Sequence, residues 1–169
     1  MRVQILSLAL LVVLALVVTS PALANGKFKS RLTGFEEVPA LSSPGSGEVE
    51  VQVTGNTIQY TLTYRNLDSG VLFAHIHVGQ AGVNGGVSVF LCSNAPSPVP
   101  TPACPAIDGT VSGVLAADDV IGPAAQGIGP GELDELVRAI AAGATYANVH
   151  TNDFPLGESR GQLRRGYGR

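Results

Sequence analysis

Past residue 24 the chain has no apolar run approaching the ~20 residues that a membrane-spanning helix needs. It has no internal repeat and no break in composition that would mark a second domain, so residues 25–169 read as one domain, long enough to close a core of its own. Basic charge is scarce: ten Lys and Arg stand against thirteen Asp and Glu, a net −3, or −4 once Arg2 is set aside with the leader. That balance argues against nucleic acid or an anionic membrane surface as partner. The local group Arg160, Arg164, Arg165 and Arg169 reads as a solvated tail. Cysteine occurs twice and histidine three times, and no complete catalytic set is spelled out anywhere, which makes a non-enzymatic role the leading expectation.

The first 24 residues are different in kind. Arg2 is followed by the apolar stretch Ile5 to Val18, a break at Thr19-Ser20-Pro21, and the small-residue cleavage pattern Ala22-Leu23-Ala24. This is the form of a Sec-type signal peptide cut after Ala24, and it places the mature chain in the periplasm or outside the cell. In an oxidising compartment the two cysteines, Cys92 and Cys104, are expected to form a disulfide around the proline-rich segment between them. Loop-closure entropy for a ring of that size is worth ~3 kcal/mol. Metal-ligating thiolates are the alternative, although the spacing suits no common zinc motif.

Short alternating strands separated by glycine and proline dominate the rest. Glu48 to Val53 and Ile58 to Tyr64 flank Gly55-Asn56, a hairpin signal, with Val49, Val51 and Val53 on one face and Ile58, Tyr60, Leu62 and Tyr64 on another. Lys27–Leu32, Val71–Val78, Val87–Cys92, Gly109–Leu115, Tyr146–Thr151 and Ser159–Arg164 read as further strands, and Ala116 to Val120 as a short helical turn. One helix is expected where Leu133, Leu136, Val137 and Ile140 make an apolar stripe, with acidic residues in its first turn and Gly143 closing it. The fold class is mainly β: an antiparallel β-sandwich or Greek-key barrel with one short helix.

Among possible motifs, Gly157-Glu158-Ser159-Arg160-Gly161 matches the nucleophile elbow of hydrolases only by accident, because no histidine follows it. The glycine-rich segment Gly79 to Gly86 has no phosphate-binding lysine and runs into a strand, so turn geometry explains it better. The adjacent carboxylates Glu36-Glu37 and Asp118-Asp119 read as solvated. The histidines carry more. In an extended strand residues two apart share a face, so His75 and His77 project together, as do Tyr146, Asn148 and His150 on the second strand. Three neutral imidazoles converging on one point suit copper or zinc. The alternative is three structural histidines hydrogen-bonded to backbone or to Asn148, Asn152 and Asp153.

Phe73-Ala74-His75-Ile76-His77-Val78-Gly79 with Asn84-Gly85-Gly86-Val87, and Ala142 to Thr151 followed by Gly157-Glu158-Ser159-Arg160-Gly161-Gln162-Leu163, resemble the two signatures of the CHRD domain, the module repeated in chordin. Leu32-Thr33-Gly34-Phe35-Glu36-Glu37-Val38-Pro39 is similar to the start of that family. The resemblance spans about residues 31–165 and departs at Ser159, where the family usually carries Ile or Leu. It implies a secreted, β-rich binding or interaction module of the bacterial single-domain type, acting on an extracellular or envelope protein or ligand. The growth-factor role of chordin does not transfer, because the cysteine-rich repeats are missing. It also directs attention to Glu158 and Arg160 as a structural pair, an ion pair or capping network at a strand end. A second resemblance is to the copper ligands of Cu/Zn superoxide dismutases, onto which His75, His77 and His150 map, with Asp153 and Leu156-Gly157 in the following loop. The metal-bridging histidine and a zinc cluster have no counterpart in this sequence.

Overall fold

A computed structural model describes residues 25–166; the expected signal peptide, residues 1–24, and Arg169 lie outside the described residues. Nine strands form one antiparallel sheet: β1 (Gly26–Thr33), β2 (Ser46–Thr54), β3 (Thr57–Arg65), β4 (Val71–Val78), β5 (Gly86–Ser93), β6 (Gly109–Leu115), β7 (Thr145–Thr151), β8 (Ser159–Gln162) and β9 (Arg164–Arg165). Their order is β5-β4-β7-β8-β1-β2-β3-β6, with β9 pairing β1 beside it. The sheet curls into a nearly closed barrel. Its two ends, β5 and β6, are tied not by a ladder but by side chains and loops: the Tyr60 hydroxyl donates to the Leu91 carbonyl across the interior at 2.5 Å, and the Ile121 amide donates to the Ser88 carbonyl at 2.9 Å. No helix among the described residues is long and apolar enough to cross a membrane.

The alternation read from the sequence sorts the faces as expected. Val49, Val51 and Val53 of β2 and Ile58, Tyr60, Leu62 and Tyr64 of β3 are buried, and the hairpin turns through Gly55 at φ +52°. The helix α1 (Leu133–Ala141) buries Leu133, Leu136, Val137 and Ile140. Gly143, at φ +69°, ends it in the left-handed conformation that glycine adopts without steric cost. Cys92 and Cys104 are bridged. The expected single strand Ser159–Arg164 is instead two, because β8 leaves β7 at Gln162 and β9 pairs with β1 at Phe28 and Lys29.

Two features position the candidate site. β4 runs between β5 and β7, so its outward residues are flanked on both sides. Ala74, Ile76, Ala147 and Val149 point into the core, which leaves Phe73, His75 and His77 of β4 on the opposite face. In register with these across β7 stand His150, Asn148 and Tyr146, and β8 adds Arg160 opposite Asn148 and Gln162 opposite Tyr146.

Candidate functional site

The outer face of β4, β7 and β8 would be open to water were it not covered by loops, and the loops are held by this face's own side chains. His77 Nδ1 bonds the Gly85 carbonyl at 3.0 Å, and the Tyr146 hydroxyl accepts from the Gly85 amide at 3.1 Å. Arg160 donates to Asn84 Oδ1 at 2.9 Å, to the Val83 carbonyl at 2.8 Å and to the Gln80 carbonyl at 3.3 Å. Asn84 in turn donates to the Val38 carbonyl at 3.0 Å, which links this loop to the segment after β1. On the far side His150 Nδ1 bonds the Pro155 carbonyl at 3.1 Å. The glycine-rich stretch after β4 is therefore a roof as well as a turn. A Cβ on Gly85 would run into the Val78 carbonyl, so only glycine lets the loop lie this close.

Beneath the roof His75, His77 and His150 are 4%, 7% and 6% exposed. One nitrogen from each lies within 4.8 Å of the others. His75 Nδ1 and His150 Nε2 are 3.3 Å apart, already the spacing of two nitrogens on one ion with bonds of about 2.0–2.1 Å. The hydrogen-bond network assigns the tautomers. His77 and His150 each give their Nδ1 proton to a carbonyl, so the Nε2 of each is an acceptor: that of His77 is bare, and that of His150 accepts from His75 Nδ1–H. Of the two kinds of partner open from the sequence, backbone carbonyls supply these bonds and the Asn148, Asn152 and Asp153 side chains do not. The buried Nε2 atoms of His75 and His77 have no partner at all. Metal-ligating histidines characteristically have one ring nitrogen fixed by an outer acceptor and the other bare.

Aromatic rings hold the imidazoles in place. Phe73 stacks on His75 with centroids 4.8 Å apart, Phe90 meets it edge-on at 4.2 Å, and Tyr146 stacks on His77 at 4.8 Å. Burial pushes His75 down to about 2 from the ordinary 6.5, with the neighbouring His150 and His77 adding to it. His77 and His150 are pushed down to about 4, again mainly by burial. All three rings are thus neutral at neutral pH, the state in which imidazole binds a metal.

Arg160 and Glu37 depart from the sequence reading. Arg160 is not part of a solvated tail: it is 2% exposed, its guanidinium 3.5 Å above the Tyr146 ring. Nor do Glu158 and Arg160 form an ion pair, since the two ion pairs among the described residues are Lys29–Glu50 and Arg138–Glu135. Each instead anchors its own network. Glu158 accepts from Ser43 at 2.7 Å, the Asp68 amide at 2.9 Å and Thr151 at 2.7 Å. Glu37, expected to be solvated, is 8% exposed. Burial pushes its carboxyl up to about 7, against the pull of Arg160 and Asn148. One signal for this close packing was available: Gly157 and Gly161, where a Cβ would meet Asn148 and Glu37, or Ser30 and Arg31.

A family model described as the CHRD domain matches residues 28–163. None of the curated proteins and none of the solved structures compared with the chain matches it.

Proposed function

The chain belongs to the CHRD domain family, and from that footing we propose that it is an exported binding module that holds a transition metal ion, copper or zinc, at His75, His77 and His150. The observation that carries this reading is the meeting of three buried, neutral imidazoles, two of them fixed through Nδ1 by backbone carbonyls and two with a buried, unpartnered Nε2. A buried polar nitrogen without a partner is costly, and a metal ion would satisfy the one on His77. An ion between His75 Nδ1 and His150 Nε2 would replace their hydrogen bond, and the His75 proton would move to its free Nε2.

Export rests on the leader pattern in residues 1–24 and on the Cys92–Cys104 bridge, which persists in oxidising compartments. The test is the metal content of the natively exported protein beside His77→Ala and His150→Ala. One equivalent of copper or zinc in the parent, and loss of at least tenfold in affinity in each variant, is the expected result; no metal above background in the parent would refute the reading.

A second reading, docking to an extracellular or envelope protein, draws support from Phe35 and Leu156, 71% and 92% exposed in the segments that follow β1 and β7. Under it, Phe35→Ser with Leu156→Ser abolishes a cross-link that the exported parent forms and leaves metal content unchanged. A cross-link that survives both substitutions would exclude these residues as the contact.

A further inference from the structure

Copper and zinc place different demands on the surroundings of three imidazoles, and those surroundings are distinctive here. Building on the metal-binding reading, we infer that the site selects monovalent copper over divalent zinc, because its three donors are neutral, its ligand atoms are closed off from water, and a buried guanidinium lies beside it. No carboxylate or thiolate joins the three rings in the cluster among the described residues, so the donors bring no negative charge to offset that of the ion. The bare Nε2 of His77 is out of reach of solvent, and the contact between His75 Nδ1 and His150 Nε2 is buried. Phe73, Phe90 and Tyr146 pack on the rings themselves.

Zinc held by three protein ligands completes its tetrahedron with water or substrate. Such a fourth ligand needs an opening that these walls do not supply. Monovalent copper is d¹⁰, accepts two or three nitrogen ligands, and carries half the charge. The desolvation cost of an ion grows with the square of its charge, so a closed, neutral cage discriminates strongly against the divalent ion.

Arg160 sharpens the difference. Its guanidinium carbon is 3.5 Å from the Tyr146 centroid, and that ring lies against His77 with centroids 4.8 Å apart and planes 6° from parallel. The cation is therefore one stacked ring away from His77, with a phenol rather than water between them. At roughly 8–10 Å and an effective dielectric of about 20, each further unit of positive charge on the ion costs on the order of ten- to thirtyfold in affinity. Glu37, whose carboxyl burial pushes up to about 7, offsets only part of this.

The test uses the metal-free mature chain under anaerobic conditions, titrated with ascorbate-reduced copper against a chromophoric chelator and, separately, with zinc against a zinc dye. The expected result is one equivalent of monovalent copper, bound at least a thousandfold more tightly than zinc. Arg160→Gln should narrow that ratio roughly tenfold, and Glu37→Gln, which keeps Arg160 in place, should widen it. Zinc binding as tightly as copper, or a ratio that neither substitution moves, would overturn the inference and leave the metal-binding reading standing. Binding of neither ion would overturn both.

Discussion

At His77 the whole question turns on where one proton sits. With Nδ1–H given to the Gly85 carbonyl, Nε2 is a bare lone pair with no partner, and the same logic makes Nε2 of His150 the acceptor of His75 Nδ1–H. Stability should record this. Three rings held at about 2, 4 and 4 instead of 6.5 mean that below pH 6.5 the unfolded chain binds more protons than the folded one. Their contribution is complete above pH 6.5 and is lost as the pH falls, through about 4 for His77 and His150 and on towards 2 for His75. Glu37 works in the opposite sense: raised to about 7, it favours the fold most below its ordinary 4.5 and loses that contribution as the pH rises through 7. Three groups outweigh one between pH 4 and 6.5, so the Tm of the metal-free protein should climb across that range and level off or dip slightly above it. Glu37→Gln should remove the dip. A Tm that is flat from pH 4 to 6.5 would contradict the buried neutral rings. Arg160→Ala strips three acceptors of their donor and leaves a cavity above Tyr146, at a cost of about 2–4 kcal/mol. A domain of this length should then melt roughly 5–15 °C lower; an unchanged Tm would refute the structural role assigned to Arg160.

The loop from Gly79 to Gly85 acts as one element because its carbonyls and amide, together with the Asn84 side chain, meet His77, Tyr146 and Arg160. Gly85 is its tightest point. Gly85→Ala forces the backbone off Val78 and breaks the His77 Nδ1 contact. Losing such an outer bond to a ligating histidine characteristically lowers metal affinity 10–100-fold. Gly82→Ala, with open space around its Cβ but φ +75°, serves as the comparison, straining the loop away from the imidazoles. Equal effects of the two substitutions on metal affinity would mean that the roof acts only through its general fold. Much at this scale was legible in the sequence. Period-2 alternation placed His75 with His77 and Tyr146 with Asn148 and His150, because side-chain direction in a strand is a local property. The burial of Glu37 and Arg160 was not legible: it arises where loops distant in the chain close over one sheet face. The same holds for the partners of the histidines, which are carbonyls delivered by distant turns.

At the scale of the whole molecule the barrel is closed between β5 and β6 by a few side-chain and loop contacts, and the disulfide sits at that seam, joining the end of β5 to the segment before β6. Loop-closure entropy gives the bridge about 3 kcal/mol. The double variant Cys92→Ser with Cys104→Ser should therefore lower Tm by roughly 6–12 °C while keeping its metal. Loss of metal at a temperature where it remains folded would show that the seam also shapes the histidine face. Strand count and class followed from turn spacing and alternation, whereas the strand order, which sets β7 beside β4, depends on long-range pairing that local pattern does not encode. That order brings His150 to the other two imidazoles. X-ray absorption on the copper-loaded mature protein tests this most directly. Three nitrogen ligands at about 2 Å with imidazole scattering, reduced to two in His150→Ala, is the predicted result; a copper spectrum unaltered by His150→Ala would contradict it.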